Sequence, residues 1–145
     1  MLNLFFRNAF RIINKMFHRD YVQYENVRLA APHMRFCTTD LRQDRLYVQS
    51  AEREVERLMA VCGLNEGSSL LDIGSGQGRL AIGIQRRLPN IKHYIGVDVH
   101  APSVAWCNRH IGRLSRLRFM HIDVHNARYN KKGEPVDSRF HLPFA

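Results

Sequence analysis

Cysteine is scarce and scattered in this chain: Cys37, Cys62 and Cys107 stand far apart, are odd in number and form no Cys-x-x-Cys pair. Neither a disulfide framework nor a cysteine zinc site is indicated. A reducing, cytoplasmic setting is the expectation. Long apolar runs are missing too, since none approaches the roughly 18 to 20 residues that a spanning helix needs. Repeats and low-complexity segments are absent. Acid is in short supply: 13 acidic residues face 22 basic ones, 18 of them arginine, for a formal charge of +9. Such a field favours anionic partners but does not choose among nucleic acid, a lipid surface and a small anion. What is left, 145 residues with 45% apolar and 24% charged, suits one globular domain with a modest core.

Residues 1 to 19 carry four basic residues and no acid. Leu2, Phe5, Phe6, Ala9, Ile13, Met16 and Phe17 recur at helical spacing, with Arg7, Arg11, Asn14 and Lys15 opposite them. The pattern predicts a basic amphipathic helix. It leaves open whether that helix packs on the domain, lies on a membrane surface or serves as an organelle presequence. Residues 20 to 48 show no sustained period and read as irregular, with one short helix at most. From Ser50, a good N-cap, Ala51, Val55, Leu58, Met59 and Cys62 fall on one helical face, and Gly63 supplies the stop. These features divide the chain into a helical and irregular extension over 1–48 and a domain over 49–145.

Beyond residue 68 the pattern alternates strand and helix. Residues 69–73, 93–99 and 117–123 read as strands, and 79–88 and 102–111 as helices, the first stopped by Pro89 and the second opened by Pro102. Apolar strands alternating with helices predict an α/β fold with a parallel sheet covered on both faces.

The stretch "LLDIGSGQG" (70–78) joins the first of these strands to the helix after it. Three glycines two residues apart strip Cβ atoms from a loop and let a ligand approach the backbone. Ligands of doubly wound sheets sit at the carboxyl ends of the strands, and Asp72, Asp98 and Asp123 all fall at such ends. Asp98, about 20 residues past the loop, is placed to accept hydrogen bonds from a ribose diol. Gly74, Gly76 and Gly78 do not keep the two-then-three spacing of a dinucleotide fingerprint. His121, Asp123 and His125 alternate in a way that mimics a metal site. No metal is expected there.

"LLDIGSGQGRL", with Asp98 in "GVDV" and Asp123 in "HIDV", resembles the class I S-adenosylmethionine-dependent methyltransferases from about residue 50 onward. The resemblance implies a Rossmann-like, doubly wound sheet, here incomplete at about three strands in the order 3-2-1 and preceded by N-terminal helices. It implies S-adenosylmethionine as cofactor. Gly74, Ser75, Gly76 and Gly78 would form the loop against its methionine part, with Asp72 holding that loop and its ammonium group. Asp98 would bind the ribose, Val99 would pack on the adenine, Asp123 would accept from the adenine amino group, and the Val124 amide would meet a ring nitrogen. No catalytic residue is assigned. The family completes a seven-stranded sheet, so the chain is expected to be truncated before the fourth strand and to hold the cofactor half. Methyl transfer to a small-molecule acceptor is then expected of a full-length parent, with the 145 residues inactive alone. Two alternatives stand beside it: a non-catalytic nucleotide-cofactor-binding module whose basic helix docks on membrane or nucleic acid, and an NAD-dependent oxidoreductase. Self-association through an exposed first strand is a further expectation.

Overall fold

A computed structural model of the chain describes residues 20–112 and 116–142. The predicted amphipathic helix over 1–19, and any membrane contact through it, lies outside the described residues.

The first described elements are not irregular. Strands β1 (Tyr21–Tyr24) and β2 (Val27–Ala30) form an antiparallel hairpin closed by Glu25 and Asn26, with Glu25 at φ 49°. Two single-turn 3-10 helices follow, Pro32–Met34 and Asp40–Arg42. Helix α1 (Asp44–Cys62) starts before the predicted cap, so Ser50 sits inside it and donates from Oγ to the Tyr47 carbonyl at 2.7 Å. The reason is that the apolar stripe begins a turn earlier: Tyr47 and Val48 are buried along with Ala51 and Val55. Gly63 ends the helix in the left-handed conformation, as its sequence position suggested.

The α/β part follows its predicted order: β3 (Ser69–Ile73), α2 (Arg79–Arg87), β4 (His93–Asp98), α3 (Ala101–His110) and β5 (Leu117–His121). The three strands pair in parallel, with β4 in the centre and β3 and β5 outside, an incomplete Rossmann-like sheet. Register puts Leu70, Tyr94 and Leu117 side by side, and Asp72, Gly96 and Phe119 next to them. That face meets the helices. Tyr94, Leu117 and Phe119 join one apolar cluster with Tyr47, Val48 and Val55 of α1, Ala81, Ile82 and Ile84 of α2, and Val104, Trp106 and Cys107 of α3.

Among the described residues the opposite face of the sheet is left largely uncovered. It carries Leu71, Ile73, Ile95, Val97, Arg118 and Met120, of which only Val97 is buried. The cause is topological. Each crossover runs in the same direction along the sheet, and right-handed crossovers of that kind put both helices on one side.

The hairpin belongs to the same core, through Val27, Leu29 and Ala30. Polar ties fasten its ends: Trp106 Nε1 donates to the Asp20 carbonyl at 2.8 Å, and Arg86 Nη1 meets Glu25 Oε2 at 2.7 Å. No helix among the described residues is long and apolar enough to cross a membrane.

Candidate functional site

The loop after β3 is built from its backbone outward. Gly74 and Gly76 take φ of +84° and +51°, and a Cβ on either would meet nothing within 4 Å. Both positions therefore demand glycine by conformation while leaving open space beside the chain. Gly78 requires glycine on both counts, since its φ is +73° and a Cβ there would lie 2.7 Å from Ile111 Cδ1 and 3.2 Å from Cys107 Sγ. It lets α2 start against α3.

The end of β4 holds this loop in place. The Gly74 and Ser75 amides both donate to the Val97 carbonyl, at 2.8 and 3.0 Å, and the Gly76 amide donates to Asp98 Oδ2 at 2.7 Å. Asp98 Oδ1 takes the His100 amide at 2.7 Å. An ionised carboxylate offers about four acceptor sites, so two lone pairs of Asp98 remain after these bonds. Loop amides engaged in this way are not available to grip a pyrophosphate, which is how glycine loops of dinucleotide folds work.

A cavity of about 630 Å³ opens over the loop at the carboxyl ends of the strands. Of the residues expected at the site, Gly74, Ser75, Gly76, Asp98, Val99 and Val124 line it together. Asp72, Gly78 and Asp123 do not. Asp72 lies behind the loop, where it accepts the Tyr94 hydroxyl proton at 2.5 Å. Burial raises its pKa above the usual carboxylate range, against the lowering effect of the Tyr94 bond and of Arg79, while Asp98 nearby raises it further. Asp123 is exposed, and its Oδ1 accepts from Asn130 Nδ2 at 2.9 Å. The Val124 amide, expected at a ring nitrogen, donates to the Ile122 carbonyl at 2.8 Å. His121 and His125 each donate to a separate backbone carbonyl, Val99 and Lys131, at 3.2 Å.

Ser75 is 7% exposed and lines the cavity, and its Oγ has no hydrogen-bond partner. A buried hydroxyl without a partner is uncommon and costs stability. At this position it fits a polar group of a bound ligand. Cys107 is not a reactive companion, because burial, reinforced by Asp98 and Asp72, pushes its thiol pKa far up, and its Sγ donates weakly to the Gly76 carbonyl at 3.4 Å.

Sequence reasoning missed the cavity's other wall. Phe36, Cys37 and Tyr47 come from the segment read as irregular, and Tyr129, Val136 and Phe140 from the stretch after β5. Gln77, within the quoted loop but passed over, is 5% exposed. Its Oε1 accepts from the Phe36 amide at 3.3 Å, and its Nε2 donates to Ser103 Oγ at 2.8 Å. Arg35 beside it is a buried cation with three ties: Nε to the Ala30 carbonyl at 2.8 Å, Nη1 to the Arg42 carbonyl at 2.9 Å and Nη2 to Asp44 Oδ1 at 2.5 Å. A hairpin signal was available in "YVQYENVRLA", two β-prone runs around a two-residue loop.

With this geometry in view, residues 70–140 match the family model described as a methyltransferase domain. The match covers just under half of the chain, and over it the chain is similar to a methyltransferase domain. Over 81 residues the chain is 31% identical to polyamine aminopropyltransferase 2 of Caldanaerobacter subterraneus subsp. tengcongensis, covering 53% of this chain and 23% of that protein. The chain thus spans under a quarter of this curated relative. Among solved structures it is similar to the (4+2)-cyclase SpnF at 31% identity and TM-score 0.42, covering 52% of this chain and 28% of that one. It is also similar to YjhP from E. coli at 24% identity and TM-score 0.40, covering 58% and 36%.

Proposed function

We propose that this chain binds S-adenosylmethionine and presents its methyl group to a small-molecule acceptor, as the donor-binding part of a methyltransferase. The observation that carries the reading is the cavity floor. Two open glycines at positive φ and the unpartnered Ser75 Oγ face the same space as Asp98. These residues fit the cofactor family implied by the segment. Gly74, Ser75 and Gly76 would lie along its methionine part, Asp98 would take its ribose hydroxyls on the two remaining lone pairs, and Val99 and Val124 would flank its adenine. When bound, the cofactor supplies a methyl group on an electrophilic sulfonium.

The chain's own contribution is binding and orientation, which for an activated donor is most of what catalysis needs. Engaged loop amides and nearby Asp72 and Asp98 leave the loop poor in donors and rich in negative charge, which suits an ammonium or sulfonium. The same feature disfavours the NAD-dependent reading, since a pyrophosphate needs free N–H donors. A cytoplasmic setting accords with three free cysteines. The chain spans a small share of its curated relative, so the transfer reaction is proposed of the whole protein that carries this segment.

Calorimetric titration with S-adenosylmethionine, S-adenosylhomocysteine and NAD tests the reading. Both sulfur nucleosides should bind and NAD should not. Asp98→Ala removes the charge-assisted bonds to the Gly76 and His100 amides as well as the ribose acceptor, so affinity should fall by a factor of about 10 to 100 or more. A folded protein that binds neither nucleoside, or one indifferent to the loss of Asp98, rejects it.

A further inference from the structure

We propose that the wall of the cavity facing the glycine loop takes a neutral, apolar, ring-bearing acceptor, held against the Phe36 ring with Tyr129 and Phe140 beside it. This identification of the acceptor class rests on the donor reading above. Seven large apolar side chains are exposed among the described residues, and four of them, Phe36, Ile73, Val136 and Phe140, border this one cavity. Single exposed apolar residues are ordinary, whereas a cluster in one concavity marks a binding surface.

Phe36 is exposed by construction. One residue earlier, Arg35 is buried, bonded to two carbonyls and to Asp44, and stacked 4.5 Å over the Tyr47 ring. The Phe36 amide itself donates to Gln77. Because an amide N–H can only donate, Gln77 must turn Oε1 toward Phe36 and Nε2 toward Ser103, which fixes the side chain's orientation. The Phe36 ring then stands edge-on to His100 with centroids 5.0 Å apart and 5.1 Å from the Tyr129 ring, yet remains 51% exposed. A rigid backbone thus holds an aromatic face at the mouth of the cavity. Such preorganised rings bind other rings with little ordering cost.

Charge argues the same way. The chain carries +9, yet among the described residues the charged ones lining the cavity are Asp98 and Arg79. Arg79 Nη1 is already directed at the Ser50 carbonyl and hydroxyl, at 3.2 and 3.4 Å. Lys92, Arg116 and Arg118 stand at the amino ends of the strands, away from the cavity. A phosphate-bearing acceptor would meet Asp98 and one occupied cation.

The test uses naphthol and naphthyl phosphate, which share a ring system and differ in charge, titrated into the full chain with and without saturating S-adenosylhomocysteine. Naphthol should bind more tightly than its phosphate. Phe36→Ala and Phe140→Ala should each weaken naphthol by about 5- to 30-fold, as loss of an aromatic anchor does, and leave S-adenosylhomocysteine affinity within about twofold. Phe36→Leu, which keeps the apolar bulk, should lie between, and circular dichroism on each variant confirms the fold. Tighter binding of naphthyl phosphate, or naphthol binding that ignores both substitutions while S-adenosylhomocysteine still binds, overturns the acceptor class and spares the donor reading. Naphthol binding through Phe36 with no S-adenosylhomocysteine binding overturns the donor reading and the acceptor role together. A dimer in sedimentation that Phe36→Ala dissolves would make the rim an interface between copies and overturn the proposal.

Discussion

The two faces of the three-stranded sheet are built from alternate residues of the same strands and meet different fates. Leu70, Tyr94, Leu117 and Phe119 enter the apolar cluster with all three helices, while Leu71 and Ile73 remain 39% and 70% exposed. Composition does not separate them, since leucine and aliphatic residues occur on both. Topology does: with β4 between β3 and β5, the right-handed crossovers that such units adopt put every described helix on one side. An apolar strand sequence therefore signals that both faces are suited to burial. It does not say what covers each one.

The largest expected effect comes from the covered face. Phe119 is 5% exposed and abuts the Tyr94 ring at 5.8 Å between centroids. Phe119→Ala should cost about 3 to 5 kcal/mol, read as a fall in the urea midpoint at unchanged slope. Gly96→Ala tests the same face from the opposite direction. Its Cβ would lie 2.8 and 2.9 Å from Phe119 ring carbons and 2.9 Å from Ser75 Cβ. Overpacking of this kind should cost about 1 to 3 kcal/mol, and by shifting Ser75 it should also weaken S-adenosylhomocysteine binding. If either substitution were as mild as one at Leu71, the two faces would not differ as described.

Asp72 sharpens the comparison, because it brings a charge to the covered face. Burial raises its pKa in the folded protein, the Tyr94 hydroxyl and Arg79 oppose the rise, and Asp98 adds to it. A folded-state pKa above the unfolded one means that the folded protein holds the proton more tightly. The ionised carboxylate therefore costs stability above the folded pKa, and that cost is relieved as the pH falls through it toward the ordinary aspartate value of about 4. Asp72→Asn keeps an acceptor for Tyr94 and removes the charge. It should raise the melting temperature at pH 7 relative to the parent, and the gain should shrink as the pH approaches about 4. A loss of stability at pH 7 would mean that the bond from Tyr94 to a charged partner outweighs burial.

The sequence was most readable where local chemistry decides the outcome. β3 falls on the predicted residues, α2 and α3 fall within one residue of their predicted ends, and Gly63, Pro89 and Pro102 mark the boundaries they were read as marking. The loop and Asp98 were placed together because both lie at carboxyl ends of neighbouring strands. What escaped depends on long-range contact. The hairpin is held by Asp20 and Glu25 reaching Trp106 and Arg86, far along the chain. The Phe36 wall is held in part by Gln77, 41 positions later, which accepts its amide. Asp123 and the Val124 amide were assigned from the family resemblance; in the structure Asp123 Oδ1 accepts from Asn130 and the Val124 amide donates to the Ile122 carbonyl.

The smallest effect on stability is expected at Leu71, and there the comparison can be made to yield a second observable. β3 pairs only with β4 among the described residues, so its outer N–H and C=O groups form an edge, and the strand holds neither lysine nor proline to discourage pairing. An antiparallel copy centred on Leu71 would set Leu71 against Leu71 and Ser69 against Ile73, leaving no charge clash on the open face. Leu71→Lys removes a partly exposed side chain, so its cost to the monomer should stay within about 0.5 kcal/mol. Its effect on association should be much larger, because two lysines would face each other at the centre of the pair. Sedimentation velocity over a range of concentrations should show the parent chain self-associating and Leu71→Lys monomeric. Hydrogen exchange on the parent should protect the amides of β4 most and the outward amides of β3 least at dilution, with the β3 amides gaining protection as concentration rises. A chain that stays monomeric at high concentration with its outward β3 amides already protected would place a covering segment on that edge and remove the expected contrast.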